Sequence, residues 1–139
     1  MNKPRIIIGL SGLAGAGKDT VADFLLAQHD FTKMAFGDAL KQTEELEKRI
    51  KSTVGNIVVT SVHFDDQAEL ISKLNGHIWQ INRRNIAAVN PHSSERGISP
   101  YFIDQNINNY GDIRSLHIIC ELHLQSTIQH QSRSLWGHA

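Results

Sequence analysis

The sequence predicts an α/β fold in which a mostly parallel sheet lies between two layers of helices. Short β-branched runs alternate with amphipathic segments of helical length, and this alternation is typical of parallel sheets covered on both faces. A glycine-rich segment separates the first run from the first amphipathic segment. The chain has 139 residues, of which 40% are apolar and 20% charged, so whole-chain disorder and coiled coil are excluded.

The first half of the chain is predicted to contain three strand–helix pairs. Three consecutive isoleucines before Gly9 indicate a buried first strand, and the β-branched run 57–60 indicates a central third strand. Asp38 is the predicted N-cap of the second helix, because Asp is a favoured capping residue. The predicted elements are a strand at 5–10, a helix at 18–28, a strand at 31–36, a helix at 38–51, a strand at 56–61 and a helix at 65–74.

The second half is predicted to add two strands and a long final helix. The alternating pattern of 77–82 indicates a strand, and residues 101–107 a short edge strand. Residues 83–100 are polar, contain Pro91 and Gly97, and are predicted to form a loop. The last helix is expected over 112–130. We expect one domain over residues 1–130, followed by a loose tail at 131–139.

The composition limits the classes of partner. The 14 basic and 14 acidic side chains balance, which argues against a nucleic-acid binder. Cys120 is the only cysteine, which excludes an internal disulfide and cysteine-based zinc sites. No segment approaches the roughly 20 apolar residues of a membrane span. The apolar run 6–10 is too short for the core of a signal peptide. We therefore expect a cytoplasmic protein without membrane partners.

The segment 12–20, Gly-Leu-Ala-Gly-Ala-Gly-Lys-Asp-Thr, contains the G-x-x-x-x-G-K pattern of a P-loop. We call residues 12–17 the glycine loop. Glycines let the backbone wrap tightly and turn successive N–H groups towards an anion, and the helix that follows adds its positive N-terminal dipole. Lys18 would bridge the β and γ phosphates of a nucleotide. The pattern predicts a three-layer α/β/α P-loop NTPase fold, and the alternative is a glycine-rich turn without a ligand. The predicted nucleotide-binding residues are Gly12, Ala14, Gly15, Ala16, Gly17, Lys18, Asp19 and Thr20.

Position 19 departs from the common pattern, which has a Ser or Thr hydroxyl there as a magnesium ligand. Asp19 stands in that place, and Thr20 follows. Thr20 would then contact an α phosphate, while Mg²⁺ would be held largely by phosphates and water. No residue of this chain is therefore predicted as a direct metal ligand. The eight histidines likewise lack the three- or four-residue helical spacing of a chelate.

Several blocks occur in order along residues 6–124. They are the glycine loop with its Gly-Lys-Asp-Thr end, Met-Ala-Phe-Gly-Asp-Ala-Leu-Lys at 34–41, Val-Val-Thr-Ser-Val-His-Phe at 58–64, Glu69-Leu70 with Asn75-Gly76, His-Ser-Ser-Glu at 92–95, and Asp104 to Asn109 with Gly111 and Leu116. Together these blocks resemble the phage and bacterial deoxynucleoside monophosphate kinase family. The resemblance implies a P-loop kinase fold that uses ATP and Mg²⁺ to phosphorylate a nucleoside or deoxynucleoside monophosphate, giving the diphosphate. It also implies that Asp38 and Lys41 lie at the acceptor.

The chain also departs from this family in two ways. Ser61 and His63 stand where the family has Asp and Arg, and the Asp would hold magnesium or its water shell. Asp65 and Asp66 could replace that carboxylate only through a different geometry, and helix capping is their alternative role. In addition, the segment that carries acceptor-binding helices in the family is missing before strand 56–61. Two alternatives therefore stay open, namely a shortened, weakly active or non-catalytic nucleotide-binding relative and a P-loop kinase of another small metabolite.

Arg83 and Arg84 are the candidates for a clamp on the transferring phosphate. They follow the fourth predicted strand, at the edge where ligands of open α/β sheets bind. We therefore assign the catalytic roles to Lys18, Arg83 and Arg84. Solvated loop charges or stacking on the nucleotide base are alternatives for the arginines. The missing acceptor segment would leave an exposed surface, and a homodimer could cover it.

Overall fold

The computed structural model describes residues 5–13, 15–36, 42–83 and 97–137. Within these residues the chain alternates strands and helices as the sequence predicts, so the α/β fold is confirmed. The elements are β1 (Ile7–Ser11), α1 (Lys18–His29), β2 (Thr32–Met34), α2 (Gln42–Ser52), β3 (Ile57–Val59), α3 (Asp65–Lys73), β4 (His77–Arg83), a 3₁₀ turn (Pro100–Phe102), β5 (Gln105–Asn109) and α4 (Ile113–Gly137).

All five strands form one parallel sheet with the order β2-β3-β1-β4-β5. The chain leaves the central strand β1 for β2 and β3 on one side, and then crosses over β1 to reach β4 and β5 on the other side. Every residue of β1 is buried, as its continuous apolar run predicts. The carboxyl end of β1 is therefore the point at which the strand order reverses, where ligands of open α/β sheets bind.

Helices cover both faces of the sheet, and each face has its own apolar core. Ile8 and Leu10 pack with α1 and α4 on one face, whereas Ile7 packs with α2 and α3 on the other. The alternation follows from the pleat, because successive side chains of a strand point to opposite faces. The three-layer α/β/α architecture is thus confirmed.

The final helix is longer than predicted. Residues 131–137 continue α4 to Gly137, so the predicted helix end at 130 is wrong. The loose tail at 131–139 stays a prediction. Gln131 anchors this part of the helix, because its Nε2 donates to the Arg5 carbonyl at 2.7 Å and its Oε1 lies 3.1 Å from His77 Nε2. Residues 138–139 lie outside the described residues. The single-domain boundary over 1–130 stays a prediction.

The edge strand lies later in the chain than predicted. Residues 100–102 form the 3₁₀ turn, and β5 begins at Gln105 rather than at 101. Asp104 sets this register, because its N–H donates to the Ile78 carbonyl at 2.9 Å and its carboxylate accepts from Ile78 N–H at 2.7 Å. As a consequence, β5 extends to Asn109 at the carboxyl edge of the sheet.

Cys120 provides a test of the core between α4 and the sheet. The side chain is buried in the cluster with Leu116 and Leu124, and burial raises the pKa of its thiol to about 12. Only the thiolate attacks disulfide reagents, and an exposed cysteine has a pKa of about 8.5. We expect a disulfide reagent to label Cys120 at pH 8 roughly a thousandfold more slowly in the folded protein than in the protein unfolded in urea. Comparable rates in the two states would contradict the buried position, and Cys120→Val gives the unlabelled baseline.

Candidate functional site

The glycine loop lies at the carboxyl edge of the sheet, between β1 and the first turn of α1. Three of its glycines have φ in the left-handed region, at +148° for Gly12, +82° for Gly15 and +111° for Gly17. These values favour glycine at each position, because L side chains rarely adopt them. Gly17 is also the N-cap residue of α1. The positive end of that helix therefore opens directly onto the loop. Ala14 lies outside the described residues.

Close packing against β4 and β5 adds a second requirement for glycine. A Cβ at Gly12 would lie 2.5 Å from the carbonyl oxygen of Ile81, and a Cβ at Gly17 would lie 2.5 Å from Nδ2 of Asn109. Both distances are shorter than a non-bonded contact permits. The loop therefore rests directly on the ends of the two neighbouring strands.

Lys18 is the first residue of α1, and its half-buried side chain folds back over the loop. Its Nζ donates to the carbonyl oxygen of Gly12 at 2.7 Å. Asp19 is exposed and Thr20 half-buried in the same helical turn. The structure thus brings Lys18 to the mouth of the glycine loop, where the P-loop pattern predicts it.

Arg83, at the end of β4, also reaches the glycine loop. Its Nη1 donates to the carbonyl oxygen of Gly15 at 3.2 Å, although the two residues are far apart in sequence. A guanidinium at this position adds positive charge beside the loop. The other predicted residues outside the loop, Arg84, Asp38 and Lys41, lie outside the described residues.

Sequence reasoning did not assign a role to Asn109, which the structure places against the loop. Its Nδ2 donates to the Ala16 carbonyl at 2.8 Å, and its Oδ1 accepts from Gly111 N–H at 2.9 Å. The sequence offers one signal for a turn here, because the polar residue Asn109 comes at the end of the strand and two positions before Gly111. That signal identifies a turn but not its partner across the sheet.

A cleft of about 350 Å³ opens beside the loop, at the carboxyl ends of β4 and β5. Its walls combine amides, a guanidinium and an exposed aromatic ring, a set suited to a flat polar group. The cleft is lined by Asn82, Arg83, Asn108, Asn109 and Tyr110.

The segment after β3 lies on the opposite side of β1 from β4 and the cleft. Val62 N–H donates to the Leu10 carbonyl at 3.2 Å, which places half-buried Ser61 near the end of β1. The two nearby carboxylates are held by backbone amides. Asp65 accepts from Ser99 N–H at 2.7 Å, and Asp66 accepts from Gln67 N–H at 2.9 Å. Neither contact is the helix cap considered from the sequence, because the N-cap residue of α3 is Phe64.

Five histidines pack against or hydrogen-bond to other elements, namely those at positions 29, 77, 117, 123 and 130. His29 Nε2 lies 2.6 Å from Glu121 Oε1, and the ring of His117 stacks on Phe24 with centroids 4.9 Å apart. His29 and Gln125 lower the pKa of Glu121 through hydrogen bonds, with Gln125 the larger cause. In the described part of the chain, no group of three or more His, Cys, Asp or Glu residues could hold a metal ion. No helix there is long and apolar enough to cross a membrane.

Comparison with known proteins identifies the class of fold. No protein-family model matches the chain, and no curated protein matches it in sequence. A gluconokinase from Sinorhizobium meliloti 1021 superposes with a TM-score of 0.61 at 8% identity, over 100% of this chain and 99% of that one. The APS kinase of Mycobacterium tuberculosis has a TM-score of 0.54 at 13% identity, over 91% and 99%. A shikimate kinase from Bacteroides thetaiotaomicron has a TM-score of 0.52 at 14% identity, over 94% and 98%.

These similarities show that the chain has the α/β fold of the P-loop kinases. They extend over nearly the whole length of the solved structures. At such low identities they show the fold alone. They do not distinguish the deoxynucleoside monophosphate kinases from other P-loop kinases.

The packing of Gly12 can be tested by substitution. Gly12→Ala should lower the free energy of unfolding by more than the control Gly55→Ala. Both glycines have positive φ, but a Cβ at Gly55 meets nothing within 4 Å. The control should therefore lose only the backbone cost of about 1 kcal/mol, whereas the contact with Ile81 adds to it at Gly12. Urea unfolding measures both variants, and equal losses would contradict the predicted contact.

Proposed function

We propose that the protein transfers the γ-phosphoryl group of ATP to a small-molecule acceptor. The observation that carries this proposal is the glycine loop itself. Its glycines adopt left-handed φ, the N-terminus of α1 opens onto it, and Lys18 folds over it at 2.7 Å from Gly12. This combination of a glycine loop, a helix N-terminus and a lysine suits the β and γ phosphates of a nucleotide.

The nucleotide would lie along the loop, with its base in the cleft beside Tyr110. Lys18 would contact the β and γ phosphates, and Thr20 the α phosphate. Arg83 lies between the loop and the cleft, because it lines the cleft and also donates to Gly15. It could therefore offset charge on the transferring phosphate, together with Arg84, or stack on the base. This placement keeps the predicted roles of Lys18 and Thr20 and adds the cleft beside the loop.

Magnesium would be held mainly by phosphates and water. The hydroxyls of Thr20 and Ser61 could contact the waters of the ion, and Asp65 and Asp66 each already accept one hydrogen bond from a backbone amide. Hydroxyl groups fit a hydrated Mg²⁺ ion, which keeps several waters. When bound, the ion would neutralise phosphate charge.

The transfer would be an in-line displacement. An acceptor oxygen forms a bond to the γ phosphorus while the bond from that phosphorus to the bridging oxygen breaks, and ADP leaves with the electron pair. A phosphate-monoester acceptor is already anionic near neutral pH and needs little help from a base. A hydroxyl acceptor also has a proton to lose, for which a carboxylate is a common acceptor.

Two classes of acceptor follow from different observations. The block resemblance favours a nucleoside or deoxynucleoside monophosphate, with Asp38 and Lys41 at the acceptor. The structural neighbours favour another small metabolite, since the solved structures with this fold include a gluconokinase and a shikimate kinase. The chemistry at the glycine loop is the same for both classes.

A second candidate function is nucleotide binding without efficient transfer. It is favoured by Ser61, which occupies the end of β3 where the family has a carboxylate. A homodimer and the absence of nucleic-acid and membrane partners stay predictions.

A transfer assay tests the proposed function. Protein is incubated with ATP and Mg²⁺ and with one acceptor at a time, taken from ribo- and deoxyribonucleoside monophosphates, gluconate and shikimate. We expect ADP formation with a subset of acceptors. Lys18→Ala should reduce it by at least about 100-fold, since the variant loses the cation that contacts the transferring phosphate. Lys33→Ala, which removes an exposed charge on β2, should match the wild type.

A measurement of ATP binding beside the transfer assay separates the remaining outcomes. If the wild type binds ATP and Lys18→Ala does not, but no acceptor gives ADP, the kinase proposal is replaced by nucleotide binding alone. A protein that neither binds ATP nor transfers phosphate would contradict both.

Ser61 allows a test of how magnesium is held. Ser61→Asp places a carboxylate at the end of β3, and Ser61→Asn is the uncharged control. Because Mg²⁺ prefers carboxylate oxygens, we expect Ser61→Asp to raise Mg²⁺-dependent ATP affinity about threefold to tenfold over Ser61→Asn. Titration calorimetry at fixed Mg²⁺ measures this ratio. Equal affinities would show that this position does not face the metal.

A further inference from the structure

We propose that Asn109 is a positioning residue that fixes the glycine loop in the shape that binds phosphate. The inference rests on the proposed function and extends it to the end of β5. Asn109 is only 7% exposed, so its amide must find partners within the protein. It bonds the Ala16 carbonyl at 2.8 Å and Gly111 N–H at 2.9 Å.

The two partners determine which way the amide of Asn109 faces. The Ala16 carbonyl can only accept a hydrogen bond, and the Gly111 N–H can only donate one. A flipped amide would place oxygen against oxygen and N–H against N–H. Asn109 therefore joins the loop after β5 to the glycine loop through one rigid side chain.

This contact sets the direction of a loop amide. The Ala16 carbonyl and the Gly17 N–H belong to one planar trans peptide, so they point in opposite directions. Asn109 holds the carbonyl towards β5, and the Gly17 N–H consequently points away from Asn109. The neighbouring Ala16 N–H already bonds to the Leu13 carbonyl at 3.1 Å. Gly17 therefore supplies an oriented N–H next to Lys18.

Arg83 reinforces the arrangement from the adjacent strand. Arg83 and Asn109 are register partners in the β4–β5 pair. They donate to two consecutive carbonyls of the loop, those of Gly15 and Ala16. The ends of β4 and β5 thus each hold one loop carbonyl by a side-chain hydrogen bond. Asn109 is the buried member of the pair, whereas Arg83 is exposed and carries the charge.

The chain offers a matched pair of variants for the test. Asn109→Asp keeps the shape of the side chain but places a carboxylate oxygen against the Ala16 carbonyl. Asn106→Asp adds the same charge three residues earlier, at an exposed position of the same strand that is not among the residues lining the cleft. Asn109→Leu removes the hydrogen bonds without adding charge.

Two measurements separate loop geometry from general destabilisation. The first is the affinity of the folded protein for ATP, which should fall roughly tenfold to a hundredfold in Asn109→Asp and Asn109→Leu. It should stay within about threefold of wild type in Asn106→Asp, since one exposed charge is largely screened. The second is the amide NMR signal of Gly17 without ligand, which should shift in both Asn109 variants and stay in place in Asn106→Asp.

Each outcome decides the proposal. Unchanged ATP affinity in both Asn109 variants, or a loss as large in Asn106→Asp, would overturn it, even if the Asn109 variants melt earlier. If wild-type protein binds no ATP, the proposed function fails, and the role of Asn109 in phosphate binding fails with it. A shifted Gly17 signal in that case would show only that Asn109 orients the loop.

Discussion

The backbone at the end of the central strand β1 lies in close contact with the backbone of β4, and this contact determines where the glycine loop lies. The last register pair of β1 and β4 is Ser11 with Gln80. The next residue, Gly12, lies so close to the Ile81 carbonyl that a Cβ there would be 2.5 Å from its oxygen. A side chain cannot fit there, and the turn needs left-handed φ at three glycines. The same turn starts α1 at Lys18, directly over the reversal of strand order. The packing of one strand thus places a helix N-terminus and a lysine at the carboxyl edge of the sheet.

The charges around the loop follow from this placement. Lys18 and Arg83 both donate to loop carbonyls, and the positive end of α1 faces the same space. The carboxylates of Asp65 and Asp66 are bonded to the backbone amides of Ser99 and Gln67. Asp19 lies in the first turn of α1, where a negative charge is stabilised by the helix dipole. The resulting field favours an anion at the loop without any net charge on the chain.

Local features were readable from the sequence, and contacts between distant residues were not. The isoleucine run, the glycine pattern and the alternation of elements predicted β1, the loop and the α/β fold, because each depends on neighbouring residues. Asn109 and Ala16 are 93 positions apart, and only the register of β5 brings them together. The end of α4 was missed for a related reason, since Gln131 is anchored by Arg5 and His77 rather than by the helix pattern.

The side chains at the end of β3 bear on the choice of acceptor. Ser61 has no charge, Asp65 accepts from Ser99 N–H, and Asp66 accepts from the adjacent Gln67 N–H. Each of these two carboxylates therefore already serves a backbone amide. Transfer to an anionic phosphate monoester depends mainly on positioning and charge neutralisation, which the loop, Lys18 and Arg83 can supply. Transfer to a sugar hydroxyl asks in addition for a proton acceptor. The two proposed acceptor classes therefore differ in their need for a proton acceptor, which the fold shared with a gluconokinase and a shikimate kinase does not specify.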